Sequence, residues 1–120
     1  MSVSPDGRRV AAGPYSQLLV KQWDTDSGKE LRRLETDLGG RFTTVNDVKY
    51  SPFVDGTLIA TAKNQINMWD VNSGSKKLEI KYQDQEFVSV SYTQDQRRIL
   101  SLDQGGVVRH WDKNTGALLL

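Results

Sequence analysis

All three tryptophans of this 120-residue chain stand directly before an aspartate, at Trp23, Trp69 and Trp111. They lie 46 and 42 positions apart, and a turn containing glycine follows each Trp-Asp pair. Self-similarity at a fixed period of about 20 to 50 residues is the signature of a repeat architecture. The chain is therefore predicted to fold as three copies of one structural unit.

A second turn recurs upstream of each Trp-Asp pair. It reads Ser-Pro-Asp-Gly at 4–7 and Ser-Pro-Phe-Val-Asp-Gly at 51–56, with a degenerate copy at 93–96. Proline presets one turn dihedral, aspartate hydrogen-bonds the nearby backbone, and glycine accepts a positive φ. The alternating apolar and polar residues at 87–92 are typical of a strand with one buried face. Each unit is therefore predicted to contain four strands, and the fold class is all-β.

The turns determine where the strands are predicted. The first unit has a nearly missing first strand and then strands at about 8–13, 18–23 and 29–35. The second unit has strands at about 45–51, 57–63, 65–70 and 76–82. The third unit has strands at about 86–93, 97–102, 107–112 and 117–120.

Four strands per repeat of about 40 to 45 residues, with Trp-Asp closing the third strand, resemble the WD-repeat family of β-propellers. The resemblance spans essentially the whole chain and implies three four-stranded antiparallel blades. Family blades often carry a Gly-His pair before the first strand, whose histidine bonds a hydroxyl and an aspartate. The corresponding segments here, 36–44 and 83–86, contain no histidine. Asp103 also lies too far from Trp111 to match the family's turn aspartate, so we expect this buried polar network to be absent from every blade.

Three blades do not close a ring, because known propellers have roughly four to eight. We predict blade 1 at 1–35, lacking most of its first strand, blade 2 at 36–82 and blade 3 at 83–120. An open row of blades leaves one apolar face bare at each end. The chain is then either part of a longer propeller or a unit whose copies close a ring head to tail. We expect a homo-oligomer that closes a ring.

The resemblance implies a rigid scaffold for protein–protein interaction, binding other proteins or peptides. The alternative is a propeller fragment or engineered building block whose main property is self-assembly. Family propellers present two sets of loops on one face, and arginine and aromatic residues are enriched at protein interfaces. The predicted protein-binding residues on these loops are Arg41, Phe42, Tyr15, Asn64, Gln65 and Gln104. The predicted structural motif consists of Trp23, Asp24, Trp69, Asp70, Trp111 and Asp112.

The residue inventory argues against catalysis. His110 is the one histidine, and the sequence has neither a Gly-x-Ser-x-Gly elbow nor a phosphate-binding loop. Asp24, Asp26 and Glu35 approach the carboxylate spacing of a calcium loop, but its glycine is misplaced and no helices flank it. We therefore predict no enzymatic activity, no cofactor and no metal.

The charges nearly balance, with 16 basic and 15 acidic residues and a net charge of +1. Nucleic-acid binders usually carry a one-sided charge, so a nucleic-acid partner is not expected. Pairs of basic residues recur at 8–9, 32–33, 76–77 and 97–98, where we expect them to be solvated at blade edges. No apolar run reaches the roughly 20 residues of a membrane span, and there is no cysteine and no signal peptide. A cytoplasmic protein without a membrane partner is the expectation.

Overall fold

In a computed structural model, the chain forms three antiparallel β-sheets that follow one another along the sequence. The structure describes residues 1–13, 19–31, 33–35, 45–53, 56–82 and 86–119, and at Leu19, Glu35 and Ala62 the backbone alone. The all-β prediction is confirmed. The three sheets do not close into a ring, and they are consistent with part of a propeller.

Each sheet is built by strands in sequence order. Sheet 1 contains β1 (Ser2–Val3), β2 (Arg9–Ala12), β3 (Leu19–Asp24) and β4 (Leu34–Glu35). Sheet 2 contains β5 (Asp47–Tyr50), β6 (Thr57–Ala62), β7 (Gln65–Asp70) and β8 (Lys76–Lys81). Sheet 3 contains β9 (Phe87–Tyr92), β10 (Arg98–Asp103) and β11 (Val108–Asp112).

The prediction of four strands in every unit is wrong for sheet 3. In place of a fourth strand at 117–120, the described residues show one isolated bridge between Trp111 and Leu118. Leu118 and Leu119 are each 46% exposed, so little packing holds this segment in register along β11. In sheet 1 the predicted strand at 29–35 is likewise reduced to β4 and a bridge between Trp23 and Glu30.

The hydrophobic core lies between the sheets rather than within any one of them, and sheet 2 is buried on both faces. Between sheets 1 and 2 lie Ala11, Val20, Leu34, Val48, Tyr50, Leu58, Ala60 and Trp69. Between sheets 2 and 3 lie Ile59, Ile66, Met68, Ile80, Phe87, Val90, Tyr92, Ile99 and Trp111. A strand with one buried face alternates, whereas five successive residues of β7 are buried because it has neighbours on both sides.

The glycine turns take the predicted backbone conformation. After the Trp-Asp pairs, Gly28 and Gly74 have φ values of 72° and 75°, a region that glycine adopts without strain. In the degenerate upstream turn, Gln96 has a φ of 64° where the other copies place glycine. The turn geometry is thus kept in the third unit at the cost of a strained residue.

Candidate protein-binding edge

The predicted binding residues lie in different environments, and three of them are outside the described residues. Tyr15, Arg41 and Phe42 lie outside the described residues. Asn64 and Gln104 lie on turns, and Gln104 is exposed. Gln65 is the first residue of β7, paired with Lys81, and is only 4% exposed, so its side chain lies in the interior and not on a turn surface. Its Oε1 accepts a hydrogen bond from Asn67 Nδ2 at 3.3 Å, an interior role that short polar segments do not reveal.

The turns of sheets 2 and 3 are tied together at one end of the strands. Tyr82 N donates to Asn64 O at 3.0 Å, and Phe87 N donates to Lys63 O at 2.8 Å. Gln104 N donates to Glu86 O at 2.9 Å. These backbone bonds join the β6–β7 turn, the segment before β9 and the β10–β11 turn into one continuous edge. We call it the loop edge, and its described residues are Lys63, Asn64, Tyr82, Glu86 and Gln104.

An arginine stacks on a tyrosine beside the loop edge. The Arg109 guanidinium lies 4.3 Å from the centroid of the Tyr82 ring, within the range of a cation–π contact. Arg109 Nη1 also pairs with Asp103 Oδ2, whose side chain is fully buried. Asp103 Oδ1 accepts Val107 N at 3.1 Å, which fastens the carboxylate to its own turn. The Arg109 guanidinium is therefore held in place by the Asp103 carboxylate and by the Tyr82 ring.

Protonation of this pair is displaced towards the charged forms. The hydrogen bond from Arg109, followed by that from Val107 N, lowers the pKa of Asp103 below its ordinary value. The hydrogen bond to Asp103 raises the pKa of Arg109 above its ordinary value. Both groups therefore stay ionised at neutral pH and present a permanent dipole at the loop edge.

The platform under Tyr82 is aromatic. The Trp111 ring meets Tyr82 edge-on at 5.7 Å and Phe87 edge-on at 6.1 Å between centroids. Trp111 Nε1 donates to Ser101 Oγ at 2.8 Å in a buried hydrogen bond between β10 and β11. Sheet 3 thus contains a buried polar link that needs no histidine. Together with Asp103, it supplies polar bonds where the sequence suggested none.

The sequence reasoning missed Tyr82 and Arg109 as candidate binding residues. Both stand inside strand-like segments, where alternation alone gives no reason to separate them from other half-buried positions. A usable signal was present: Asp103 and Arg109 lie on the two sides of a Gly-Gly turn. Arg109 stands opposite Ser101 in the antiparallel register, two residues from Asp103, and a long side chain reaches across such a diagonal.

The aspartates of the Trp-Asp pairs have a structural task in the turns. Asp24 Oδ1 accepts Asp26 N and Ser27 N, both at 2.9 Å. The same two bonds recur in the other copies, at Asp70 and at Asp112. Across the described residues, no three histidine or acidic side chains come together as a metal site.

His110 lies in β11, next to Trp111 and therefore on the opposite face of sheet 3. Its Nδ1 is buried and has no hydrogen-bond partner among the described atoms. The hydroxyl of Ser101 is on the other face, bonded to the indole. Among the described residues, this histidine is thus not paired with a nucleophile.

Comparison with known proteins supplies the family. Over 98 residues, covering 80% of this chain, the sequence is 31% identical to Periodic tryptophan protein 2 of Arabidopsis thaliana, a WD-repeat protein. The chain is thus similar to a member of the WD-repeat family. It spans 10% of that relative's length, and no family model matches it. This similarity agrees with the three Trp-Asp pairs, each of which ends the third strand of a sheet. In the described part of the chain, no helix has the length and apolarity needed to cross a membrane.

Proposed function

We propose that this chain is a non-catalytic WD-repeat scaffold that binds other proteins or peptides through the loop edge of sheets 2 and 3. The observation that carries the proposal is the half-buried Tyr82 ring held against Arg109. Tyrosine and arginine dominate the binding energy of many protein interfaces. A side chain that is already fixed loses little entropy on binding.

The surroundings of Tyr82 support the same use. Lys63 and Gln104 are exposed on the same loop edge, and Asn64, which accepts a hydrogen bond from Tyr82 N, is half-buried, so polar residues accompany the aromatic ring. This arrangement is that of a protein interface, which has an apolar core and a polar rim. The loop edge carries one lysine, one glutamate and two amides, beside the Asp103–Arg109 pair, and this balance of charge favours an uncharged or mixed-charge peptide over a polyanion.

The absence of catalysis is part of the proposal. General acid–base and nucleophilic chemistry need a base within hydrogen-bond reach of a nucleophile. His110 and Ser101 lie on opposite faces of sheet 3, and Asp103 is engaged by Arg109. These residues serve the packing of the sheet.

The test compares two glutamines at opposite ends of the strands. Gln104 lies on the loop edge, and Gln94 is an exposed residue of the turn between β9 and β10. Proteins retained from a lysate by the immobilised chain are identified by mass spectrometry and then bound again as purified proteins. Gln104→Arg should weaken that binding about tenfold, and Gln94→Arg should leave it unchanged. Equal affinity of the two variants for every retained protein would place the binding surface elsewhere.

A further inference from the structure

Among the residues that the structure describes, sheets 1 and 3 each have one face that no other sheet covers. On sheet 3 this face carries Leu100, Val108 and His110, and Val108 is 55% exposed. On sheet 1 it carries Val3, also 55% exposed, with Val10 and Trp23.

The junction between sheets 1 and 2 shows how such faces join. The residues of sheet 2 that match Val3, Val10 and Trp23 in strand register are Tyr50, Leu58 and Trp69. All three are buried against sheet 1, and Trp69 is 1% exposed. The uncovered face of sheet 1 therefore corresponds to the face of sheet 2 that packs against a neighbouring sheet.

A cation also crosses the junction between sheets 1 and 2. Arg9 of β2 extends to the β7–β8 turn of sheet 2, with Nη2 at 3.2 Å from Asn72 Oδ1 and Nη1 at 3.5 Å from Val71 O. At the junction between sheets 2 and 3 the cation belongs to the later sheet, sheet 3. There Lys113 lies 5.9 Å from the Phe53 ring centroid and 5.6 Å from that of Tyr92.

Strand register identifies the counterparts of this contact on the uncovered faces. Arg9 stands opposite Asp24 in sheet 1, and Arg98 stands opposite Asp112 in sheet 3, so Arg98 holds the place of Arg9. In the turn after β3, Asp26 N donates to Asp24 Oδ1, as Asn72 N does to Asp70 Oδ1. Asp26 therefore holds the place of Asn72, and both Arg98 and Asp26 are exposed.

We propose that a second copy of this chain docks head to tail, with the uncovered face of sheet 3 against the uncovered face of sheet 1 and Arg98 paired with Asp26 of the second copy. The contact repeats the one between sheets 1 and 2. Because Asp26 has a carboxylate where Asn72 has an amide, the counterpart of the Arg9–Asn72 hydrogen bond is an ion pair. The two charges stand at opposite ends of the same chain, as a heterologous contact between identical copies requires. The apolar residues beside them, Val3, Val10, Trp23, Leu100 and Val108, are covered in the same step.

Sedimentation velocity of the full chain over a series of concentrations tests the docking. The wild-type chain should associate as its concentration rises. Arg98→Glu and Asp26→Arg should each weaken association about tenfold, because each sets two like charges against one another. The two changes combined in one chain restore opposite charges and should restore association. Arg97→Glu, at the exposed neighbour of Arg98, is the matched control and should associate as the wild type does.

A monomer at every concentration would overturn the proposal. So would equal losses in Arg98→Glu and Arg97→Glu, or a combined variant that associates no better than either single one. Circular dichroism of each variant shows whether the sheets are retained, and recovery in the combined variant excludes misfolding as the cause of the loss. If the chain stays monomeric yet binds sheets of another protein through these faces, the second copy is the wrong occupant.

Discussion

The hydroxyl of Tyr50 donates a 2.8 Å hydrogen bond to Oε1 of Gln22, and both side chains are buried between sheets 1 and 2. The corresponding tyrosine of sheet 3, Tyr92, places its hydroxyl 3.1 Å from Thr57 Oγ1 of sheet 2. Each junction thus contains a hydrogen bond made by a tyrosine hydroxyl inside an apolar contact. In a buried setting such a bond fixes the register of one sheet on the next.

Removal of the Tyr50 hydroxyl should destabilise the chain. In Tyr50→Phe, Oε1 of the buried Gln22 loses this donor, with an expected cost of about 1 to 2 kcal/mol in the free energy of unfolding. Urea titration followed by circular dichroism measures the change. Burial raises the pKa of the Tyr50 hydroxyl to about 12, so the donor is protonated throughout the accessible pH range.

A second substitution separates the lost bond from lost packing. Met68 stands in sheet 2 where Gln22 stands in sheet 1, directly before the tryptophan, so methionine fits this position. Gln22→Met added to Tyr50→Phe removes the amide that had lost its tyrosine donor, so the cost of the double variant should be smaller than the sum of the two single costs. Additive costs in the double variant would show that the hydrogen bond contributes nothing.

Strand positions in the middle of the chain were predictable because two kinds of turn delimit them. The predicted strands at 65–70 and 76–82 differ from Gln65–Asp70 and Lys76–Lys81 by one residue at most. Prediction failed for the last strand of sheet 3 because pairing there depends on packing that local sequence does not encode. The repeat boundaries at 35 and 82 stay predictions.

Polar residues inside the sheets were the part that the sequence could not place. Gln65 looks like a turn residue but is buried, and Asp103 looks misplaced but forms a buried pair with Arg109. Each outcome depends on which face of a strand another sheet covers, and this is decided by tertiary contact. Two residues of the candidate site, Asn64 and Gln104, follow from turn position alone, whereas the contact of Arg109 with Tyr82 depends on how sheet 3 packs against sheet 2.

The indole of Trp111 should contribute both a hydrogen bond and packing volume. Trp111→Phe loses the bond to Ser101 Oγ and part of the contact with Tyr82, with an expected cost of about 3 kcal/mol in the free energy of unfolding. Ser101→Ala leaves the indole N–H buried without this acceptor and should cost about 1 to 2 kcal/mol. In the double variant the costs should fall short of additivity by about 1 kcal/mol, as urea titration would show. Full additivity would mean that the bond makes no net contribution.

Two glycines in equivalent turns should respond differently to alanine. Gly28 has a φ of 72° and an added Cβ would meet nothing within 4 Å, so Gly28→Ala should cost only the left-handed strain of about 1 to 2 kcal/mol. Gly116 has a φ of 77°, and an added Cβ would lie 3.1 Å from Leu78 and 3.3 Å from Ile80. Gly116→Ala should therefore show the lower thermal midpoint of the two. Equal midpoints would show that the side chains of sheet 2 move aside freely.

Acid should weaken all three Trp-Asp turns together. Backbone N–H groups, first Ser27, Ser73 and Thr115, lower the pKa values of Asp24, Asp70 and Asp112 below the ordinary 3.8. A carboxylate with a lowered pKa stabilises the fold above pH 3.8, and that contribution disappears as the pH falls through the lowered value. The urea midpoint should therefore drop between pH 5 and pH 2, and Asp70→Asn, which cannot ionise, should drop less while starting lower at pH 7. A midpoint that stays constant down to pH 2 would contradict the role of these carboxylates in the turns.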